Sequence, residues 1–144
     1  MKVLYTAVAT ATEGGRDGHT RTDDGKVDFE LSTPPEMGGE GGDGTNPEQL
    51  FAAGYAGCFA NAMRSSARRE GSLEDVDGAT VTAHVSIGAL GKGRFDLAVT
   101  LEIGVPALAQ DAAEDLVARA HERCPYSRAM RGNVEVELAV TGGG

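Results

Sequence analysis

Asn46-Pro47-Glu48-Gln49-Leu50-Phe51-Ala52-Ala53-Gly54-Tyr55-Ala56-Gly57-Cys58-Phe59-Ala60-Asn61-Ala62-Met63 reads as the best-signalled helix in the chain. Asn46 suits the N-cap, Pro47 fits the first helical position, and Gln49 stands three residues after the cap, as in a capping box. Leu50, Phe51, Tyr55, Cys58, Phe59, Ala62 and Met63 recur at spacings of mostly three and four, which makes one apolar face. That face is wide and rich in Ala and Gly, so the helix is expected to be central and closely packed. The basic stretch from Arg64 to Arg69 suits the negative end of the helix dipole, and Gly71 stops the helix.

Upstream, Val3 to Thr12 reads as a strand of Val, Ala and Thr. Three glycines and Asp17 between Glu13 and Gly18 mark a turn. A second strand covers His19 to Thr22, and Val27 to Leu31 alternates apolar and acidic residues as a third. This predicts a three-stranded antiparallel meander. Pro34 to Gly44 is an irregular glycine-rich loop, and it lacks the Lys-Ser/Thr of a phosphate loop. Downstream, Ala79 to Ile87 and Phe95 to Val105 read as a hairpin around Gly91-Lys92-Gly93. Gln110 to Arg123 reads as a second helix, which ends at Cys124-Pro125, and Asn133 to Thr141 reads as a last strand. Strands and helices do not alternate one for one. The fold class is therefore α+β, with a mainly antiparallel sheet and two main helices.

The 144 residues fit one domain, 1–144, with an ordinary 40% apolar and 24% charged composition. Thirteen basic against 22 acidic residues give a formal charge of −9, which repels a phosphate backbone and argues against nucleic acid as a partner. No stretch has the apolar length of a membrane span or a signal peptide, so no membrane is expected and the expected compartment is the cytoplasm. Stable structural disulfides are rare there, which turns attention to the only two cysteines, Cys58 and Cys124.

A lone helical cysteine is most often a small buried hydrophobe. The second cysteine changes that reading, because Cys124 stands where a helix terminates against a proline. One fixed and one hinged thiol, far apart in sequence, suit an attacking and a resolving cysteine. Attack needs thiolate, and an ordinary thiol is mostly protonated at neutral pH, so a cation is required. Arg16 in its glycine turn is the candidate, with Glu48 able to hold the guanidinium by a bidentate pair. His121 and Cys124, three apart, could hold zinc with a third ligand, but no CxxC or HxxxH spacing supports a metal and none is expected. His19 and His84 fall on predicted strands without ligand spacing. Phe51, Tyr55, Phe59 and Met130 are apolar candidates for a substrate wall, and core packing is the plainer reading of each.

At these residues the sequence resembles the organic hydroperoxide resistance branch of the Ohr/OsmC thiol peroxidases. The resemblance is carried by Tyr5-Thr6-Ala7 leading to Gly14-Gly15-Arg16-Asp17-Gly18, by Gly41 to Tyr55 with Cys58-Phe59, and by Cys124-Pro125-Tyr126-Ser127 with Arg131-Gly132-Asn133. It implies an OsmC-like fold in an intertwined homodimer, with Cys58 as peroxidatic and Cys124 as resolving cysteine. It also implies an Arg16–Glu48 pair that activates the thiolate. The implied substrates are alkyl and fatty-acid hydroperoxides. The implied reductant is external, a dihydrolipoyl group on a partner protein, with no bound cofactor. Arg128 departs from the polar amide expected after Cys-Pro-Tyr-Ser and bears on docking of that reductant.

Glu48 and Cys58 are ten residues apart, roughly 15 Å of rise and nearly a quarter turn on one helix. Either the helix breaks near Gly54 or Gly57, or Arg16 and Glu48 serve Cys58 of a second subunit; the second alternative is favoured. Three function classes follow: a thiol peroxidase, a redox sensor and a structural domain with inert thiols. The absence of any DNA-binding or signalling segment favours the first. Within the enzyme class a preference for hydrogen peroxide, as in the sibling branch, remains open.

Overall fold

The computed structural model describes residues 1–143, and the chain divides into two compact units, Met1–Leu50 and the sequence from Phe51 onward. In the first unit β1 (Ala9–Ala11), β2 (His19–Thr22) and β3 (Asp28–Glu30) form the expected antiparallel meander, in the order β1-β2-β3. His19 faces Glu30 across the β2–β3 pair. Its imidazole nitrogens lie 2.7 Å from the Glu30 carboxylate and 2.5 Å from that of Asp28, and the two carboxylates raise its pKa. The Pro34–Gly44 loop folds back on the end of the meander. Thr45 N–H donates to Glu30 O, and Gly44 N–H donates to Ser32 Oγ.

The first strand is much shorter than the sequence suggests. Met1–Val8 has no regular structure, and Met1, Val3, Leu4, Tyr5 and Val8 are exposed. A strand propensity is realised only where a neighbouring edge supplies hydrogen bonds, and the register with β2 ends at Ala9–Thr22.

Helix α1 (Pro47–Arg69) is continuous through Gly54 and Gly57. Its start is as predicted: Asn46 Oδ1 accepts from Gln49 N–H at 2.8 Å. In the second unit β4 (Thr80–Gly91) and β5 (Arg94–Val105) make a long hairpin, turned by Lys92 and Gly93 at φ 56° and 71°. Both central residues of this two-residue turn are left-handed, as a turn matched to strand twist requires. Helix α2 (Gln110–Arg123) follows, then α3 (Pro125–Met130) and β6 (Val136–Gly142).

β6 pairs with β5 in parallel, so this sheet, in the order β4-β5-β6, is mixed. An intervening helical crossover is what allows the parallel pairing. The Gln110 side chain fixes α2 to β6: its Nε2 donates to Val140 O, and its Oε1 accepts from Gly142 N–H.

The core of this unit comes from one stripe on each element. Val99, Leu101, Ile103 and Val105 alternate along β5, facing Tyr55, Phe59, Met63 and Ala67 of α1 and Ala113, Leu116, Val117 and Ala120 of α2. Each large side chain buried there contributes roughly 1.5–3 kcal/mol. The Ala and Gly content of α1 serves this packing only in part: Ala62 and Ala67 enter the core, whereas Ala53, Gly57 and Ala60 are exposed and a Cβ on Gly57 would meet nothing within 4 Å.

Loss of the α1 cap gives a direct check on this account. Asn46→Ala is expected to lower unfolding stability by about 1 kcal/mol, read as a lower urea midpoint at unchanged slope.

Candidate active site

Pro125 has no N–H and disfavours helical backbone in the residue before it, so α2 cannot continue through Cys124. Cys124 accordingly has φ −62° and ψ 121°. Its N–H still closes α2 on Ala120 O, while its carbonyl accepts from Arg128 N–H and opens α3. The side chain at this corner is fully buried. The Cys124 thiol donates to Cys58 Sγ at a sulfur–sulfur distance of 3.6 Å, and both cysteines are free. Bond formation needs a closing movement of about 1.5 Å. Two thiols 66 positions apart in sequence are thus brought together.

The two sulfurs differ in access. Cys58 is half-buried and Cys124 is enclosed, so a reagent from solvent meets Cys58 first. Burial raises the Cys58 pKa most, and the neighbouring Cys124 adds to the rise; the backbone N–H of Tyr126, donated to the sulfur, opposes it. Within this unit Cys58 is therefore held as a thiol above the ordinary range, and ionisation at neutral pH calls for an added cation.

The first unit holds an oriented cation of its own. Arg16 sits in a 3-10 turn over Gly15–Asp17 and grips Glu48 with both ends of its guanidinium, each N···O distance being 2.7 Å. The turn depends on small residues. A Cβ on Gly14 would stand 2.8 Å from Gly18 Cα, and one on Gly18 would stand 2.5 Å from Thr12 Oγ1. Asp17 braces it from the far side by accepting from Thr33 N–H. Glu48 lies in the first turn of α1, where the helix dipole favours a carboxylate. The Arg16 hydrogen bond chiefly lowers the Glu48 pKa, and the same bond raises that of Arg16.

The candidate wall residues differ in placement. Tyr55 and Phe59 are fully buried and belong to the core, while Phe51 and Met130 are partly buried against it. Phe51 joins Tyr55 and Tyr126 in an aromatic cluster with centroids 5.7–6.0 Å apart. Tyr126 also covers Gly54, where a Cβ would meet its hydroxyl at 3.3 Å.

The sequence reading missed Tyr126 and Ser127 as site residues. Their signal was adjacency to Cys124-Pro125, which forces both into the turn that closes on Cys58. His121 bonds Ser127 rather than joining Cys124 in a ligand set. Among the described residues no group of three or more His, Cys, Asp or Glu side chains is arranged to hold a metal ion, and no helix is long and apolar enough to cross a membrane.

The Arg16–Glu48 pair has a pH signature. A carboxyl whose folded pKa is depressed contributes stability above its unfolded pKa and loses it as pH falls through the folded value. Acid unfolding of the wild type is expected to include a component below pH 4.5, the ordinary value for Glu48. Glu48→Gln should lack it, as followed by urea midpoints across that range.

Residues 39–139 match the family described as OsmC-like protein. The chain is 50% identical over 139 residues to the organic hydroperoxide resistance protein of Xanthomonas axonopodis pv. citri (strain 306), covering 96% of each sequence. It is 45% identical over 136 residues to the organic hydroperoxide resistance protein OhrB of Bacillus subtilis (strain 168), covering 94% of this chain and 96% of that protein. Its fold superposes on the crystal structure of an organic hydroperoxide resistance protein from Legionella pneumophila with a TM-score of 0.91 at 49% identity, over 97% of this chain and 99% of that one.

Proposed function

The chain belongs to the Ohr/OsmC organic hydroperoxide resistance family, and from that premise we propose that it is a cysteine peroxidase that reduces organic hydroperoxides to alcohols. The observation that carries the proposal is the pair of free thiols 3.6 Å apart, one accessible and one enclosed at a helix break. The names of its relatives supply the substrate class, and alkyl and fatty-acid hydroperoxides are the forms proposed.

The cycle needs no bound cofactor, because sulfur carries the electrons. The Cys58 thiolate attacks the distal oxygen of ROOH, the O–O bond breaks, and the alkoxide takes a proton to leave as ROH, with Cys58 left as a sulfenic acid. Cys124 then attacks the Cys58 sulfur, forming the disulfide and expelling water. An external dithiol of the dihydrolipoyl type, carried on a lipoylated protein, returns two electrons by thiol–disulfide exchange and leaves as its own disulfide. Arg16, held by Glu48, stabilises the thiolate and orients the peroxide. Phe51 and Met130, partly buried, are the proposed apolar wall. A cytoplasmic role against oxidative stress fits thiols that must return to the reduced state.

The protein is proposed to work as a homodimer, with Arg16 and Glu48 of one copy serving Cys58 of the other. Two observations support this. Helix α1 is unbroken through Gly54 and Gly57, which puts Glu48 and Cys58 roughly 15 Å apart along one helix axis. Met1, Val3, Leu4, Tyr5, Val8 and Phe29 also lie exposed in a unit whose buried hydrophobic core, among the described residues, is Leu31 alone. A 50-residue unit with so little core gains most from burial against a second chain.

The test is peroxide consumption with dihydrolipoamide as reductant. Turnover of tert-butyl and fatty-acid hydroperoxides is expected to exceed that of hydrogen peroxide and to vanish in Cys58→Ser. Turnover that survives in Cys58→Ser would remove Cys58 from its role. Arg16→Ala should lower the rate by about 100-fold or more, the scale of a lost electrostatic stabiliser, and sedimentation should show a dimer. A fully active monomer would sink the shared site.

A further inference from the structure

Disulfide closure requires Cys124 to travel about 1.5 Å toward Cys58, and Cys124 stands at the start of α3, a helix of only six residues. So short a helix has little stability of its own. What ties it to its neighbours therefore decides where the resolving sulfur stands. Apolar packing encloses Cys124, but such contacts are non-directional. A directional tie lies one turn away. Tyr55 and Ser127, both buried, share a hydroxyl–hydroxyl bond of 2.7 Å.

The geometry follows from two matched spacings. Tyr55 and Cys58 are three residues apart on α1 and share a face. Cys124 caps α3, and Ser127 lies three residues beyond it. The sulfur pair, 3.6 Å apart, and the oxygen pair are thus successive rungs between α1 and the start of α3. Apart from the thiol contact itself, no other side-chain to side-chain hydrogen bond joins α3 to α1 among the described residues. Ser127 Oγ is also held from α2, 2.9 Å from His121 Nδ1. One hydroxyl therefore fixes α3 against both helices that flank Cys124.

We propose that Tyr55 and Ser127 are positioning residues for the resolving step: their bond holds the Cys124 corner at the spacing from which the disulfide closes. With the corner already fixed, closure costs little further conformational freedom. Without the bond, the new S–S linkage must itself order α3. The role needs no proton transfer through either hydroxyl, because it acts through the backbone between Cys124 and Ser127. The coupling is reciprocal: as much as the hydroxyl bond favours the disulfide, the disulfide strengthens the hydroxyl bond.

The proposal rests on the peroxidase reading for the place of this step in a cycle, but its measurement needs no peroxide. The reduced protein is equilibrated with mixtures of oxidised and reduced glutathione. The thiols of Cys58 and Cys124 become one disulfide as one oxidised glutathione becomes two thiols, and the equilibrium gives the effective concentration of Cys124 at Cys58. Tyr55→Phe is the cleaner variant, because Ser127 keeps His121 as a partner and no polar group is orphaned. Ser127→Ala removes the same bond from the other side.

Each variant should lower the effective concentration by about tenfold, the upper scale of one net hydrogen bond, which makes the disulfide easier to reduce by about 30 mV. The double variant should fall no further than Ser127→Ala, since both changes delete one bond. Urea unfolding should show each variant destabilised more in the disulfide form than in the dithiol form. An effective concentration unchanged in either single variant, additive losses in the double, or equal destabilisation of the two redox forms would make the bond structural only and overturn the proposal. If the coupling is found but wild type does not consume tert-butyl hydroperoxide, the peroxidase reading fails and the positioning role stands.

Discussion

The site depends on a helix that cannot pass through Pro125. Because the residue before a proline is forced out of helical geometry, Cys124 sits at a corner between α2 and α3, buried against α1 and facing Cys58. Had α2 continued straight, Tyr126 and Ser127 would have projected from the next turn of the same helix. The break turns them back instead, Ser127 onto the Tyr55 hydroxyl and the Tyr126 N–H onto the Cys58 sulfur. A single backbone constraint thus sets the sulfur pair, the hydroxyl pair and the amide that meets the thiol.

Energetics pull the two thiols in different directions. Apolar packing from α1, α2 and β5 encloses Cys124 and shields it from reagents, and the same packing raises the pKa of Cys58. Enclosure disfavours an ionised sulfur, so the Cys58 thiolate of the proposed cycle needs a compensating cation. Arg16 is held ready by a bidentate bond to Glu48, which keeps the guanidinium oriented and leaves it one-third exposed. The role proposed for Arg16 draws on that orientation, because a guanidinium already fixed loses little further freedom in making a new contact.

Local chemistry was legible in the sequence. Asn46, Pro47 and Gln49 marked the start of α1, Cys124-Pro125 marked the end of α2, and Gly14, Gly15 and Gly18 marked the turn around Arg16. The arginine–glutamate pair followed from residue type and family resemblance, and the bidentate bond is present. What escaped depends on distant partners. The parallel β5–β6 pairing is decided by where the crossover lands, and the short β1 by where the β2 edge ends. Likewise, Tyr55 and Ser127 stand 72 positions apart, and no local pattern announces a bond between them. Helix α3, six residues long, was too short for periodicity to show.

The central claim is that Cys58 is the atom that meets peroxide, and it is tested most directly by trapping the product on a chain that cannot resolve it. Cys124→Ser would be mixed with one equivalent of cumene hydroperoxide in the presence of dimedone and mapped by peptide mass spectrometry. The account predicts rapid and nearly complete dimedone addition at Cys58. An unlabelled Cys58 in folded protein, with the hydroperoxide unconsumed, would contradict it.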